Sequence, residues 1–215
     1  WLRFGLPLTV GQLARCVTFA LVTAAASYGG AAGAAAHQVA MSLFYSTLAF
    51  GDAISTTSQA YLPALRTASG RARLVRRLLG VGAVTGASTA LLIASPLGVP
   101  ALLRVFTADV TVAGVLVRLL PLAATCSLAY TVASTAEGCL VAARDLRPLA
   151  VLYAAWPPLA ASVLFALARG PLSLPGALMA WTAFTSVHLA RLLTFTRRLH
   201  LRVQQEQRTA ARRSD

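Results

Sequence analysis

Long apolar runs dominate the chain, and short polar or glycine- and proline-rich segments separate them. Six such runs, at 6–28, 34–63, 78–98, 112–143, 148–168 and 174–196, each reach the roughly 20 residues that a helix needs to cross a hydrocarbon core of about 30 Å. The separators are helix-ending chemistry. Gly29, Gly30 and Gly33 punctuate the first junction, and Pro63 with the run from Arg66 to Arg77 closes the second. Pro96, Pro100 and Asp109 mark the third, Arg144-Asp145-Leu146-Arg147-Pro148 the fourth, and Arg169-Gly170-Pro171 the fifth. Backbone groups in lipid must be satisfied within their own segment, so all six runs predict helices. The expected fold class is all-α, an integral membrane unit of six transmembrane helices over residues 1–196. A basic, solvated and partly helical tail follows at 197–215.

Polar residues inside these runs are few and patterned. In steps of three and four from Gln38, the second run carries Ser42, Tyr45, Ala49, Asp52, Thr56 and Gln59 along one helix face. The opposite positions, Leu43, Leu48, Ile54 and Tyr61 among them, are mostly apolar. A polar stripe of that length is costly against lipid, so it predicts a face turned to a water-filled cavity or to other helices. The fourth run repeats the pattern more weakly in Ser127, Tyr130, Ser134 and Glu137. Asp52 and Glu137 are the acids well inside spanning runs. A carboxyl group out of water can take up and release a proton near neutrality, which makes the pair candidates for ion coupling. Arg15, in the middle of the first run with Gln12 and Thr18 on its face, is expected to point inward and to find Asp52 or Glu137. Arg118 and Arg191 lie nearer the ends of their runs and are expected to snorkel.

Gly82 and Gly86 form a GxxxG step in the third run, a spacing that lets another backbone approach closely. Pro121 and Pro157-Pro158 remove backbone donors in mid-run, so kinks are expected there.

Composition and charge sharpen the membrane reading. Of 215 residues 57% are hydrophobic and 12% charged, with a mean hydropathy of +0.70; a soluble domain carries about twice that charged fraction. The net charge of +13 comes from 19 basic residues, all arginine, against six acids. A nucleic-acid binder would display such charge as a basic face on a soluble fold. Here most arginines sit in short clusters between apolar runs, which argues against a nucleic-acid partner. With the first helix leaving the cytoplasm-like side, that side receives fourteen arginines: Arg3, the cluster Arg66 to Arg77, Arg144, Arg147 and those of the tail. The other side receives Arg104 and Arg169. This asymmetry predicts a multi-pass protein with both termini on the cytoplasm-like side. Plasma membrane and organelle membrane, plastid included, both fit. The tail arginines have a solvated reading and a second one, binding of anionic lipid.

Cys16, Cys126 and Cys139 lie in apolar runs without metal-ligand spacing and are read as buried small hydrophobes. His37 and His188 have no second ligand at metal spacing. An intramembrane enzyme would need a nucleophile with a base or a metal cluster, and neither is evident, so the chain is not expected to be an enzyme or to hold a cofactor. The chain opens at Trp1 and enters its first run without a basic n-region or cleavage motif. The expectation is a fragment or incomplete gene model rather than a signal peptide.

Several separated motifs resemble one family. Ala35-Ala36-His37-Gln38-Val39-Ala40, Leu48-Ala49-Phe50-Gly51-Asp52-Ala53 and Ser58-Gln59-Ala60-Tyr61-Leu62-Pro63 resemble the second helix of the C-terminal lobe of the multidrug and toxin extrusion (MATE) transporters. Glu137-Gly138 with Ala143-Arg144-Asp145 is similar to that lobe's Asp-Gly and Gly-x-x-Asp segment, with Glu in place of Asp, and Gly176 to Arg191 to its closing helix. Arg15 after Leu6-Pro7 resembles the DinF-like branch, since the NorM-like branch would place an acid near Arg15 and another near Tyr130. The resemblance implies the second half of a twelve-helix antiporter, missing an N-terminal six-helix lobe, that exports a small organic solute in exchange for H⁺ or Na⁺ by alternating access. It implies Asp52 as coupling acid, Arg15, Thr56, Gln59 and Tyr130 as cavity-lining residues, and Glu137 as secondary acid. A non-transporting membrane subunit or incomplete gene product is the alternative.

Overall fold

The computed structural model describes residues 2–170 and 174–212, and they form an all-α membrane protein. Its helices are α1 (Leu2–Ser27), α2 (Gly30–Tyr61), α3 (Ala68–Ala94), α4 (Gly98–Phe106), α5 (Val110–Ala142), α6 (Leu146–Ala154), α7 (Trp156–Arg169) and α8 (Gly176–Ala211). By length and composition α1, α3, α5 and the α6–α7 stretch can each cross a membrane. At 32 and 36 residues α2 and α8 are also long enough, but the polar stripe of α2 and the basic second half of α8 make them less apolar.

Several boundaries differ from those read along the sequence: α1 and α2 each start four residues earlier, and α4 is a helix in the stretch that Pro96, Pro100 and Asp109 marked as a break. Three further differences have a clear local cause. The third helix starts at Ala68 rather than at 78, because arginine is a good helix former and the Thr67 side chain caps the start by accepting from the Gly70 N–H. The arginine-rich run is therefore a helical extension, not a connector. The fifth run is two helices broken at Ala155. Pro157 and Pro158 have no N–H to offer the carbonyls of Tyr153 and Ala154, so the helix ends and restarts with the prolines in its first turn. By contrast α5 continues through Pro121. The third difference is at the end: α8 runs on from the expected limit at 196 to Ala211.

The most deeply buried helix is α5, and α2, α3 and α8 pack around it. One apolar cluster, around Phe44, Leu116, Leu120, Trp181 and Phe184, fills one half of the bundle. A second, around Leu140, Leu149, Trp156, Val187 and Phe195, fills the other. A close helix crossing is at Gly138, where a Cβ would stand 2.5 Å from the Ser55 carbonyl oxygen. Only glycine lets α2 and α5 cross there. Gly82 and Gly86, the GxxxG step, are buried against Thr135 and Leu128 of α5.

Ion pairs gather the arginine-rich segments at one end of the bundle. Arg71 Nε lies 2.9 Å from Glu206, and Arg198 makes a bidentate pair with Asp145 at 2.6 and 2.9 Å. The segment 66–77, the α5–α6 turn and the C-terminal part of α8 thus lie together, as the arginine count requires if they share a side.

Candidate functional site

Two acids that sit on opposite neighbours of the same helix crossing have unlike surroundings. Glu137 projects from α5 between two arginines: Arg15 Nη2 of α1 is 2.6 Å from Oε1, and Arg191 Nη2 of α8 is 2.5 Å from Oε2. The Arg15 Nη2 also donates to the Tyr153 hydroxyl of α6 at 2.9 Å. Arg191 is 1% exposed, and its guanidinium carbon lies 4.6 Å from the Trp156 ring centroid, 5.0 Å from that of Tyr130 and 5.6 Å from that of Phe195. Aromatic faces and a carboxylate thus replace water around a charge that lipid would not tolerate. One carboxylate ties α1, α5 and α8 together.

Asp52 has no ion pair among the described residues. Its Oδ1 accepts from the Tyr130 hydroxyl at 2.8 Å and from Ser134 Oγ at 3.1 Å, both on α5. The residue is exposed on the outer flank of α2, as are Gln38, Ser42, Tyr45, Ala49, Thr56 and Gln59. The stripe is therefore exposed along one flank of α2, with Asp52 reaching from it to α5. The weaker α5 stripe meets the adjoining face of α2 in a polar seam, in which Thr47 Oγ1 donates to Ser127 Oγ at 3.2 Å alongside the two bonds to Asp52.

Beside Asp52 lies a cavity of about 120 Å³, lined among others by Arg15, Phe19, Asp52, Tyr130, His188 and Arg191. That is room for a few waters or a small ion. The fold brings Asp52, Arg15 and Tyr130 to this cavity, with Glu137 behind Arg15 and Arg191. Thr56 and Gln59 do not line it. Thr56 Oγ1 donates to the Asp52 carbonyl oxygen at 2.8 Å, and Gln59 Nε2 to Ser55 Oγ at 3.4 Å. Of the two partners open to Arg15 the structure selects Glu137.

Arg191 corrects a sequence expectation. It does not snorkel; the continuation of α8 places it within the helix, and its side chain is among the largest that are fully buried. The aromatic residues spaced along the same helix were the available signal. His188, also buried, has its Nδ1 3.4 Å from Arg191 Nη1. Cys126 and Cys139 are buried, whereas Cys16 is exposed, contrary to its reading as a core residue.

No family model matches the sequence, and no curated protein matches it. Solved structures resemble it in fold. A MOP superfamily transporter from Pyrococcus furiosus superposes with a TM-score of 0.73 at 15% identity, over 90% of this chain and 43% of that one. A multidrug resistance MATE family transporter of the same superfamily, solved in an outward-facing conformation, gives 0.72 at 16% identity with the same coverage. The chain has the fold of part of these transporters, and it spans less than half of their length.

Proposed function

We propose that the chain is the C-terminal six-helix lobe of a MATE-like secondary antiporter of the DinF-like branch, exporting an organic solute in exchange for H⁺ or Na⁺. The observation that carries this reading is Asp52, an acid held only by hydroxyl groups, at a small cavity and on an exposed polar stripe of a membrane bundle. Such a carboxylate can take a proton or Na⁺ and release it without breaking an ion pair. Thr56 and Gln59 continue the stripe, and in this reading they line the central cavity shared with a missing N-terminal lobe. Arg15 and Tyr130 set the field and hydrogen bonding around Asp52. Glu137, the secondary acid, holds Arg15 and Arg191 in place. Alternating access then follows from rocking of the two lobes about the cavity. Neither a cofactor nor chemistry on the solute is required.

The test is transport by the two-lobe protein reconstituted into liposomes, with a fluorescent organic solute inside and an imposed H⁺ or Na⁺ gradient. One gradient is expected to drive export, and Asp52→Asn to abolish it while leaving expression intact. Normal gradient-driven export by Asp52→Asn removes Asp52 from the mechanism; no gradient-driven flux in the unmutated protein overturns antiport. A second reading, a non-transporting membrane subunit, is favoured by the 43% coverage of the solved transporters. Robust flux from the 215-residue chain alone would reject both that reading and the missing lobe.

A further inference from the structure

We propose that the seam between α3 and α8, at the arginine-rich end of the bundle, is a binding site for one anionic phospholipid. This inference stands apart from the transport reading. Both helices pack mainly on α5 and touch each other little, so a groove of about 770 Å³ opens between them. Its lining alternates apolar and basic chemistry: Leu79 on α3 and Leu193 on α8 lie toward the middle of the bundle, Arg76, Arg197 and His200 flank the next turn, and Ala72 and Val203 continue the apolar floor beyond them. That is the profile of a lipid at the membrane surface, with acyl chain along the leucines and phosphate between the arginines.

The charge balance points the same way. Some arginines on this end are matched to acids, Arg71 and Arg202 to Glu206 and Arg198 to Asp145, while others, Arg73 and Arg77 among them, are in no ion pair among the described residues. Among the described residues Arg76 and Arg197 have no acidic partner, and no carboxylate lines their groove. The arginine asymmetry of the chain puts this end on the cytoplasm-like side, where anionic headgroups and basic pockets between spanning helices meet. A free phosphate would use the arginines but leave the apolar lining on either side of them uncovered.

The purified chain is melted in micelles of neutral detergent doped with phosphatidylglycerol or with phosphatidylcholine, and unfolding is followed by tryptophan fluorescence. Phosphatidylglycerol is expected to raise the midpoint and phosphatidylcholine to leave it unchanged, because only a ligand of the folded state shifts the transition. The double variant Arg76→Gln with Arg197→Gln is expected to lose at least half of that shift. Arg208→Gln with Arg212→Gln removes the same charge from exposed positions outside the groove and is expected to keep it. Equal shifts with both lipids, equal losses in both double variants, or reproduction of the shift by soluble glycerol phosphate would each overturn the proposal. Should the first double variant fail to fold, native mass spectrometry of the unmutated chain decides. Preferential retention of one phosphatidylglycerol supports the site, and indifferent retention of both lipids rejects it.

Discussion

Glu137 and Asp52 are chemically near-identical side chains on adjoining helices, yet the bundle uses them in opposite ways. Glu137 is 13% exposed and fully committed, each oxygen to a different arginine. Asp52 lies at the surface of the lobe and is held by two neutral hydroxyls. Removing the charge of Glu137 would leave two guanidinium groups facing each other out of water. Removing the charge of Asp52 leaves two hydroxyls that an amide oxygen can still satisfy. The contrast separates an acid fixed between two arginines from one held by hydroxyls alone, and burial follows the same line.

The sharpest way to break this comparison is Glu137→Gln. It is expected to destabilise the chain by about 3–5 kcal/mol, the cost of stranding a buried charge, measured by melting in detergent. Replacing Arg15, Glu137 and Arg191 together by apolar residues of similar volume is expected to recover most of that loss. If Glu137→Gln melts like the unmutated chain, the triad is not structural. Next in size is Gly138→Ala, at the crossing that brings both acids' helices into register. Its Cβ would meet the Ser55 backbone, so about 1–3 kcal/mol of overpacking is expected in the same melt. For Asp52→Asn the expected change in stability is within about 1 kcal/mol, since the Tyr130 and Ser134 bonds persist. A loss as large as that of Glu137→Gln would erase the distinction. The smallest effect calibrates the others. Arg144 holds a left-handed conformation with φ of 56° where α5 ends, a turn in which the Asp145 N–H bonds the Leu140 carbonyl at 3.0 Å. Glycine prefers that position, so Arg144→Gly is expected to raise stability by about 0.5 kcal/mol without touching either acid.

Much of this was written in local patterns. Glycine and proline mark their breaks by backbone chemistry alone, and period-three-and-four spacing is enough to align Gln38 through Gln59 on one face. The arginine run at 66–77 was harder, because a charge cluster reads as a connector although arginine favours helix and Thr67 supplies a cap. The same applies to Arg191: its depth depends on where α8 stops, and the basic residues after 196 suggested an end that hydrogen bonding does not make. Which acid Arg15 would take was open at the level of sequence, since the partners are 122 positions apart and nothing in helical spacing ranks Glu137 over Asp52. The stripe was visible; its exposed setting, and the place of Thr56 and Gln59 beyond the cavity, depend on how the helices pack.

The uninterrupted course of α8 has a practical consequence. Neither proline nor a second glycine breaks it between Gly176 and Ala211, so it acts as a stiff pointer from the Glu137 triad to the C-terminal end. Arg208 follows Arg191 by about 25 Å of helix rise at 1.5 Å per residue. A spin label or fluorophore at that exposed position would magnify a small tilt at Arg191 into a displacement large enough for distance spectroscopy. Any motion of α8 could then be read without placing a probe near either acid.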